Sequence, residues 1–201
     1  MLSTTTHPMT VRALPGERPS LARTLARSFY DDPVFRHFFP DDASRLERSE
    51  RLFAGMLLRA AEPHDEIHTT AGHAGAAIWF PPGHAHLSVW QQLRYLPTMV
   101  RVGGRDLPRI LRNLSVMEAQ HPSEPHYYLN ILGTDPDRQG EGIGSALLRA
   151  VLDRCDERGI PAYLEATSER NRPLYERHGF RVTDEIQLPD GPVIWAMWRD
   201  A

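Results

Sequence analysis

Apolar residues recur along this chain with two different periods, and these periods divide it into helices and strands. A period of about 3.6 residues, typical of a helix with one buried face, runs through five segments. The predicted helices are Glu17–Tyr30, Asp41–Ala61, Leu87–Val102, Asp106–Gln120 and Gly142–Arg158. The last of these has the most regular apolar stripe, and Gly159 directly after it can adopt the left-handed conformation that ends a helix.

Short apolar or alternating segments predict the strands. They are Met9–Leu14, Glu66–Thr70, Ala74–Phe80, His126–Thr134, Ala162–Thr167, Arg181–Leu188 and Val193–Arg199. The last two form a hairpin around residues 189–192, and a short helix with Asn171 as its N-cap is predicted over Asn171–His178. The strands combine one βαβ unit with hairpins. The pattern therefore predicts an α/β protein of the α+β type, with strands of mixed direction, and not a repeated βαβαβ dinucleotide fold.

Composition and charge narrow the class of protein. The 201 residues fit a single domain, 1–201, with a sizeable core, and residues 1–8 are expected to be a loose leader. The formal net charge of −3 gives no electrostatic reason to expect nucleic acid or a membrane surface as a partner. A single cysteine, Cys155, fits a reducing compartment, and no apolar run resembles a signal peptide or a membrane span. We therefore expect a cytoplasmic protein. The oligomeric state stays open, a homodimer included.

A glycine-rich segment, Gln139–Gly144, lies between the predicted central strand and the most regular helix. Glycines at alternate positions let the backbone turn tightly and approach a ligand closely. The helix that follows directs its unpaired N–H groups and its positive end at this loop, which is an arrangement that binds phosphate. Arg138 could add a charged contact at the rim. The expected backbone donors are Gly140, Gly142, Gly144 and Ser145.

Three kinds of phosphate loop have glycines in such a place. A P-loop requires Gly-Lys-Ser/Thr, and no lysine follows these glycines. A dinucleotide-binding loop has the spacing G-x-G-x-x-G, whereas the glycines here are spaced G-x-G-x-G. Glu165 lies roughly 20 residues further on, as a ribose contact would, but only one βα unit and then a hairpin follow. The third pattern, Gln-x-x-Gly-x-Gly, is matched in full by Gln139, Gly142 and Gly144.

This third pattern resembles motif A of the GNAT acetyltransferases, whose loop holds the pyrophosphate of coenzyme A. The segments Tyr163–Asn171 and Pro173–Phe180 are similar to motif B of the same family. Within the family, Pro125–Trp198 is most similar to the puromycin N-acetyltransferases and their relatives, and the N-terminal half is more weakly similar around Ala26–His37 and Ala76–Pro81. The resemblance implies a mostly antiparallel sheet with a central splay, flanked by helices and ending in a β-hairpin. Residues 9–121 would then form the substrate side and residues 126–200 the acetyl-CoA side.

The resemblance also implies acetyl-CoA as cosubstrate, with no metal. In the family, the strand before the loop splays from its neighbour and pairs with the pantetheine arm, and its backbone groups polarise the acetyl carbonyl. The short helix brings an asparagine towards the cofactor and a tyrosine towards its sulfur. The residues expected to contact acetyl-CoA are Leu132, Gly133, Thr134, Arg138, Gln139, Gly140, Glu141, Gly142, Ile143, Gly144, Ser145, Asn171 and Tyr175.

Acetyl transfer to an amine needs a base and an acid. A lysine-like amine, with a pKa of about 10.4, costs about 4.6 kcal/mol to deprotonate at pH 7, unless a base or an apolar pocket helps. We expect Glu165 to serve as that base, directly or through water, although a structural role or a cofactor contact is a second interpretation. Tyr175 is the expected acid for the leaving thiolate, and its alternative role is that of a core aromatic residue. Cys155 lies in the apolar helix stripe and is poorly placed to act as a nucleophile.

Acidic residues at the end of the first helix are candidates for the substrate side. Tyr30, Asp31 and Asp32 lie where the family often contacts substrate, and carboxylates would suit a cationic amine; a plain helix terminus is the alternative. The segment His64–His68 is similar in spacing to a metalloprotease motif, but no long helix carries it. We interpret these histidines and the nearby pair in residues 84–86 as surface residues.

These observations predict an N-acetyltransferase that transfers the acetyl group of acetyl-CoA to a primary amine of a small molecule. Amine and thioester would react directly in a ternary complex, without a covalent enzyme intermediate. Two alternatives remain open. One is an acetyltransferase for a protein lysine or N-terminus, which a wide, shallow acceptor groove would favour. The other is a sensor that binds acyl-CoA without turnover.

Overall fold

A single sheet runs through the whole protein. The computed structural model describes residues 8–201, so the predicted leader lies almost entirely outside the described residues. The seven strands are β1 (Thr10–Arg12), β2 (Ile67–Thr70), β3 (Gly75–Phe80), β4 (Tyr127–Thr134), β5 (Ala162–Ala166), β6 (Arg181–Gln187) and β7 (Val193–Arg199). Each coincides with a strand predicted from the sequence.

The strands lie in the order β1-β2-β3-β4-β5-β7-β6, and every neighbouring pair is antiparallel except β4 and β5. These two parallel strands are joined through a long helix, whereas β6 and β7 form the C-terminal hairpin. The parallel pairing runs only from Tyr127 opposite Ala162 to Leu129 opposite Leu164. Beyond Leu129 the two strands separate, which confirms the predicted mixed sheet with a central splay.

The helices are α1 (Arg18–Ser28), α2 (Pro33–Phe38), α3 (Asp42–Leu52), α4 (Leu58–Ala61), α5 (Val89–Gly103), α6 (Leu107–Ala119), α7 (Ile143–Arg158) and α8 (Arg172–Glu176). The predicted helices correspond to α1, to α3 with α4, to α5, α6 and α7, and to the short α8. Gly159 caps α7 with φ of +63°, as expected. None of the helices within residues 8–201 is long and apolar enough to cross a membrane.

The helix α2 does not follow from the sequence pattern. The helix α1 ends at Ser28, ahead of the acidic pair that was expected to stop it, and Asp32 begins a new helix. Its carboxylate accepts hydrogen bonds from the amides of Val34 and Phe35, at 2.9 and 3.2 Å, and Pro33 occupies the first helical position. Asp32 therefore serves as the N-cap of α2, a role that the sequence analysis did not predict.

Helices α3 and α4 are joined by a wider π-helical turn at Phe53–Leu57. A π turn inserts an extra residue into the helix and rotates the side chains that follow it. Gly55 within it lies against α5, where an added Cβ would come within 2.9 Å of Thr98. This turn is one of the walls of the cavity described below.

Two apolar layers lie on opposite faces of the sheet, because successive strand residues point to opposite sides. On β3, Ile78 and Phe80 pack towards the helices of the N-terminal half, whereas Ala77 and Trp79 pack towards α7. The buried carboxylate of Glu66 joins the two halves through two bonds from the Arg154 guanidinium, at 2.8 and 2.6 Å. The two predicted halves are thus parts of one continuous sheet.

Candidate active site

A cleft of about 730 Å³ opens where β4 and β5 separate, at the N-terminus of α7. Of the residues expected to contact acetyl-CoA, the following line the cleft: Leu132, Thr134, Gln139, Gly140, Gly142, Ile143, Gly144, Ser145, Asn171 and Tyr175. The structure thus brings together side chains and backbone from the splayed strand, the glycine loop and α8.

The glycine loop presents a row of backbone amides to this cleft. Ala146 is the first residue of α7 whose amide bonds back, to the Gly142 carbonyl at 3.0 Å. The amides of residues 143–145 donate to no other group in the described part of the chain. Gly140 and Gly142 have φ of +86° and +78°, and a Cβ at either position would meet no protein atom within 4 Å. The loop therefore combines unpaired donors, a helix N-terminus and open space, as a phosphate site requires.

The edge of β4 faces the same cleft. The Asp135 amide bonds the Ala74 carbonyl on the β3 side at 2.8 Å, and amides alternate in direction along a strand. The amides of Thr134 and Leu132 therefore point into the splay. That of Thr134 donates to the Ser28 hydroxyl at 3.1 Å.

Three residues of the expected cofactor set do not line the cleft. Gly133 faces α1, where an added Cβ would lie 2.8 Å from Leu25 and 2.9 Å from the Ser28 hydroxyl, so this glycine allows α1 to pack closely on the sheet. Arg138 and Glu141 form an exposed pair with each other, at 2.7 Å. The Arg138 side chain is therefore paired with Glu141 and does not make the predicted contact at the rim of the cleft.

Three arginines that line the cleft were missed by the sequence reasoning. One is Arg27, whose guanidinium is paired with Asp135 and Asp137. The others are Arg170 and Arg177, and Arg170 donates to the Gln139 side chain at 3.3 Å. The available signal for these two was the run of arginines in the segment similar to motif B. Their positive charge suits the phosphate groups of a nucleotide.

A second cavity, of about 150 Å³, lies on the other side of the splay. Its walls come from α2, α3, the π turn, α5, α6, α8 and the two splayed strands, and most of its lining residues are aromatic, aliphatic or methionine. Leu132, Asn171 and Tyr175 line both this cavity and the cleft, so the two spaces meet at these residues. We call this second space the apolar cavity.

Within residues 8–201, Glu165 is the only charged residue that lines the apolar cavity. It lies on β5 at the splay, as expected, and its side chain is only 4% exposed. The hydroxyl of Tyr128 accepts a hydrogen bond from Asn130 at 3.1 Å, and burial together with the nearby Glu165 carboxylate raises the pKa of Tyr128 well above its usual range. His121, which the sequence did not indicate, places its Nδ1 at 3.6 Å from a Glu165 oxygen.

Tyr175 lies at the junction of the two spaces and is 8% exposed. Burial, and secondarily the negative charge of Asp32, raises the pKa of its hydroxyl above the ordinary value. The hydroxyl is therefore fully protonated at neutral pH, as a proton donor must be. It also holds its proton more tightly than a tyrosine in water, which makes proton transfer to a thiolate more costly unless the thiolate is desolvated as well.

The three candidate substrate residues take different positions. Asp31 is exposed and lies at the rim of the cleft. Asp32 is buried as the cap of α2, accepts a hydrogen bond from the Thr167 hydroxyl, and its pKa is raised by burial. Tyr30 lines neither space and donates to the Asp42 carbonyl at 3.3 Å.

The interpretation of the remaining histidines as surface residues is wrong for His68. Its side chain is buried and lies 3.0 Å from Glu66. Within residues 8–201 no three histidine, cysteine or acidic side chains converge as metal ligands would. Cys155 is fully buried, and burial raises the pKa of its thiol to about 11, so it holds no reactive thiolate.

Comparisons with known proteins agree with this geometry. The model of the acetyltransferase (GNAT) family matches residues 102–180. A crystal structure of histone acetyltransferase HPA2 and related acetyltransferase from Corynebacterium glutamicum superimposes with a TM-score of 0.74 at 26% identity, covering 98% of both chains. The fold is that of the GNAT acetyltransferases, and these matches indicate an acyltransferase.

Two curated relatives extend the comparison. An N-acetyltransferase of Schizosaccharomyces pombe is 26% identical over 83% of this chain and 72% of its own length. A mycothiol acetyltransferase of Propionibacterium freudenreichii is 40% identical, but over 37% of this chain and 25% of its own length. The chain thus matches only a quarter of that mycothiol enzyme. The closer resemblance to puromycin acetyltransferases stays a prediction.

Proposed function

We propose that this protein transfers the acetyl group of acetyl-CoA to a primary amine of a small molecule. The observation that carries the proposal is the meeting of the cleft and the apolar cavity at Leu132 and Tyr175. A thioester held in the cleft and an amine held in the cavity would approach each other at this junction. Acetyl-CoA, when bound, supplies the activated acetyl group.

The residues of the cleft fit such a cosubstrate. The amides that begin α7 would hold the pyrophosphate, Arg170 and Arg177 would add positive charge, and the β4 edge at Leu132 would pair with the pantetheine arm. The Leu132 amide would then stabilise negative charge that develops on the carbonyl oxygen. These groups are fixed in place by the fold, so little rearrangement would accompany the reaction.

Two side chains would move protons. Glu165 would accept the proton of the ammonium group, since it is the only carboxylate of the cavity, and the apolar walls would favour the neutral amine. Tyr175 would donate to the departing sulfur. Its raised pKa is matched by desolvation of the thiolate in the same site, which raises the pKa of the thiol as well.

The shape of the acceptor site favours a small molecule over a protein. A peptide needs an open groove that accommodates backbone on both sides of the modified residue, whereas the apolar cavity lies beneath α5 and α6. The binding-only alternative is disfavoured because Glu165 and Tyr175 both line the cavity. A binding protein has no need for a buried carboxylate beside the acyl group.

A thiol-release assay tests the proposal. The protein is incubated with acetyl-CoA and a panel of primary amines, and free coenzyme A is measured alongside mass spectrometry of the products. We expect acetylated amine in amounts equal to the thiol released. If the protein binds acetyl-CoA but acetylates no amine in the panel, peptides included, the result would instead support a sensor.

A further inference from the structure

We propose that the acceptor is a monoamine that carries a single apolar group about the size of one aromatic ring. This inference rests on the proposed function and specifies its substrate class. A dry apolar cavity of roughly 150 Å³ holds a molecule the size of benzene. The apolar cavity has about that volume, so one ring or a branched alkyl group fills it.

The lining of the cavity sets the polarity of the acceptor. Among its residues Glu165 is the only charged one, so a single cation can be neutralised there. A second positive charge, as in a diamine or an aminoguanidine, would be buried among Phe35, Met56 and Met117 without a partner, which is strongly unfavourable. A sugar amine would lose hydrogen bonds of its hydroxyls in the same way.

A polar group at the cavity wall provides a second contact for the amine. The side-chain oxygen of Asn130 is buried and has no hydrogen-bond partner in the described part of the chain. It lines the cavity together with Glu165. An amine N–H bound there would satisfy this oxygen, whose desolvation is otherwise uncompensated. One carboxylate and one amide oxygen thus define a site for one amino group.

The experiment compares phenethylamine, isopentylamine, agmatine and glucosamine as acceptors. We expect kcat/KM for the first two to exceed that for the last two by at least 100-fold. Calorimetric binding of phenethylamine to the protein provides a readout that does not depend on turnover. If phenethylamine binds but no amine is acetylated, the proposed function fails while the substrate class stands. If agmatine or glucosamine is preferred, the substrate class is wrong.

Matched variants on α6 locate the binding. Leu114 lines the cavity, whereas Leu111 lies on the exposed face of the same helix. Leu114→Trp should raise KM for phenethylamine at least tenfold and leave acetyl-CoA affinity unchanged, and Leu111→Trp should change neither. Leu114→Ala enlarges the same space and should shift preference towards the larger tryptamine. Equal effects of the two Leu→Trp variants, or no shift with Leu114→Ala, would contradict the proposal.

A separate cluster of histidines supports a second inference. His126 Nδ1 lies 2.6 Å from the Glu124 carbonyl oxygen, which can only accept, so this nitrogen carries a proton. Burial lowers the pKa of His126, so its ring is neutral and its Nε2 is an acceptor. The Nε2 of His121 lies 3.1 Å from that acceptor and must donate to it. A neutral His121 therefore presents an unprotonated Nδ1 to Glu165.

We infer that His121 is a positioning residue that takes the amine proton over from Glu165. As the ammonium N–H bond breaks, its electron pair stays on nitrogen and the proton joins the Glu165 carboxylate. The proton then passes to the lone pair of His121 Nδ1. The outcome is a neutral amine, a restored carboxylate and an imidazolium ion, so charge and protons balance. The two acceptor atoms lie 3.6 Å apart, so the proton has only a short distance to cross between them.

The surroundings of His121 provide a route to solvent. The groups that face it are His86 with its partner Glu118, His126, the hydroxyl-bearing rings of Tyr128 and Tyr163, and Glu165 itself. The His121 side chain is 5% exposed, whereas that of His86 is 53% exposed, and their rings are 4.9 Å apart. Only the His86 ring thus separates a proton on His121 from solvent.

His121→Gln tests this role, with His84→Gln as a control outside the cluster. We expect a tenfold or larger decrease in kcat and a changed acidic limb of the pH–rate profile for His121→Gln only. Nitrogen-15 NMR of the wild-type protein provides an independent readout, in which neutral His121 should be protonated at Nε2. An Nδ1-protonated ring, or an unchanged pH profile in a folded variant, would overturn the inference.

Discussion

The two halves of the protein build their sites in different ways. The glycine loop presents backbone groups from one continuous segment, Gln139–Ser145, at the start of one helix. The apolar cavity uses side chains from five helices, a π turn and two strands that are far apart in sequence. Backbone donors serve every member of a ligand class, whereas side-chain walls select one shape. Under the proposed function, the C-terminal half would therefore fix the chemistry and the N-terminal half would fix the acceptor.

The largest expected effect falls on the junction between the halves. Tyr175→Phe removes the proposed acid but keeps the ring, so we expect kcat to fall by about 10²–10⁴-fold with little change in acetyl-CoA affinity. Tyr127→Phe makes the same change at a buried tyrosine that lines neither space. Steady-state kinetics across pH check both variants. Unchanged turnover of Tyr175→Phe would remove the acid role.

The next largest effect is expected at the glycine loop, where a control variant distinguishes loss of ligand binding from backbone strain. Gly142→Val places a branched side chain where phosphate must approach, so acetyl-CoA affinity should fall by about 100-fold, the loss of about 2.7 kcal/mol of contacts. Gly83 has nearly the same φ, +81° against +78°, and equally open surroundings, but lies outside both spaces. Gly83→Val should therefore destabilise the fold similarly and leave affinity unchanged. Calorimetry that finds equal affinities would contradict the loop assignment.

The smallest effect on activity is expected at the Glu66–Arg154 bridge between the halves, which should affect mainly stability. Burial of Glu66 opposes its ionisation, but the hydrogen bonds from His68 and Arg154 prevail and lower its pKa to about 2. A carboxylate with a depressed folded pKa stabilises the protein above its unfolded pKa, near 4.5, and loses this contribution as pH falls towards 2. We expect Glu66→Gln to lower the free energy of unfolding by about 3 kcal/mol at pH 7, a difference that shrinks as pH falls below 4.5 and is lost as pH falls through about 2.

The control for this variant is an exposed ion pair. Asp65 pairs with Arg12, and the two side chains are 64% and 50% exposed, respectively. Asp65→Asn should cost less than about 1 kcal/mol. Chemical denaturation at a series of pH values measures both variants. An equal loss of unfolding free energy in the two variants would show that the buried Glu66–Arg154 bridge stabilises the protein no more than an exposed ion pair.

The contrast between the halves also explains what could be predicted from the sequence. Gln139, Gly142 and Gly144 identified the loop because its function depends on local spacing, and the stripe of α7 identified the helix behind it. The role of Asp32 was missed because an acidic residue before a proline was interpreted as a helix stop, whereas the same pair of residues can begin a helix. His121 gave no signal, since it meets Glu165 only after α6 and β5 pack together.

The π turn and the apolar cavity show the same limit. Nothing in the period of Asp41–Ala61 distinguishes a π turn from a continuous helix. Met56 and Met117 read as ordinary core residues, and only the tertiary packing leaves a space between them. Asn171 occupies the predicted N-cap position of α8, but its side chain makes no capping bond, and the residue lines both spaces instead.

The separation of β4 and β5 leaves a sheet whose middle is open at one end. Backbone edges that other sheets pair internally are here left for a small molecule to complete. A ligand that binds only the folded chain adds about 2.7 kcal/mol of stability at a hundredfold excess over its Kd. Under the proposed function, the melting temperature of this protein should therefore rise with the concentration of acetyl-CoA.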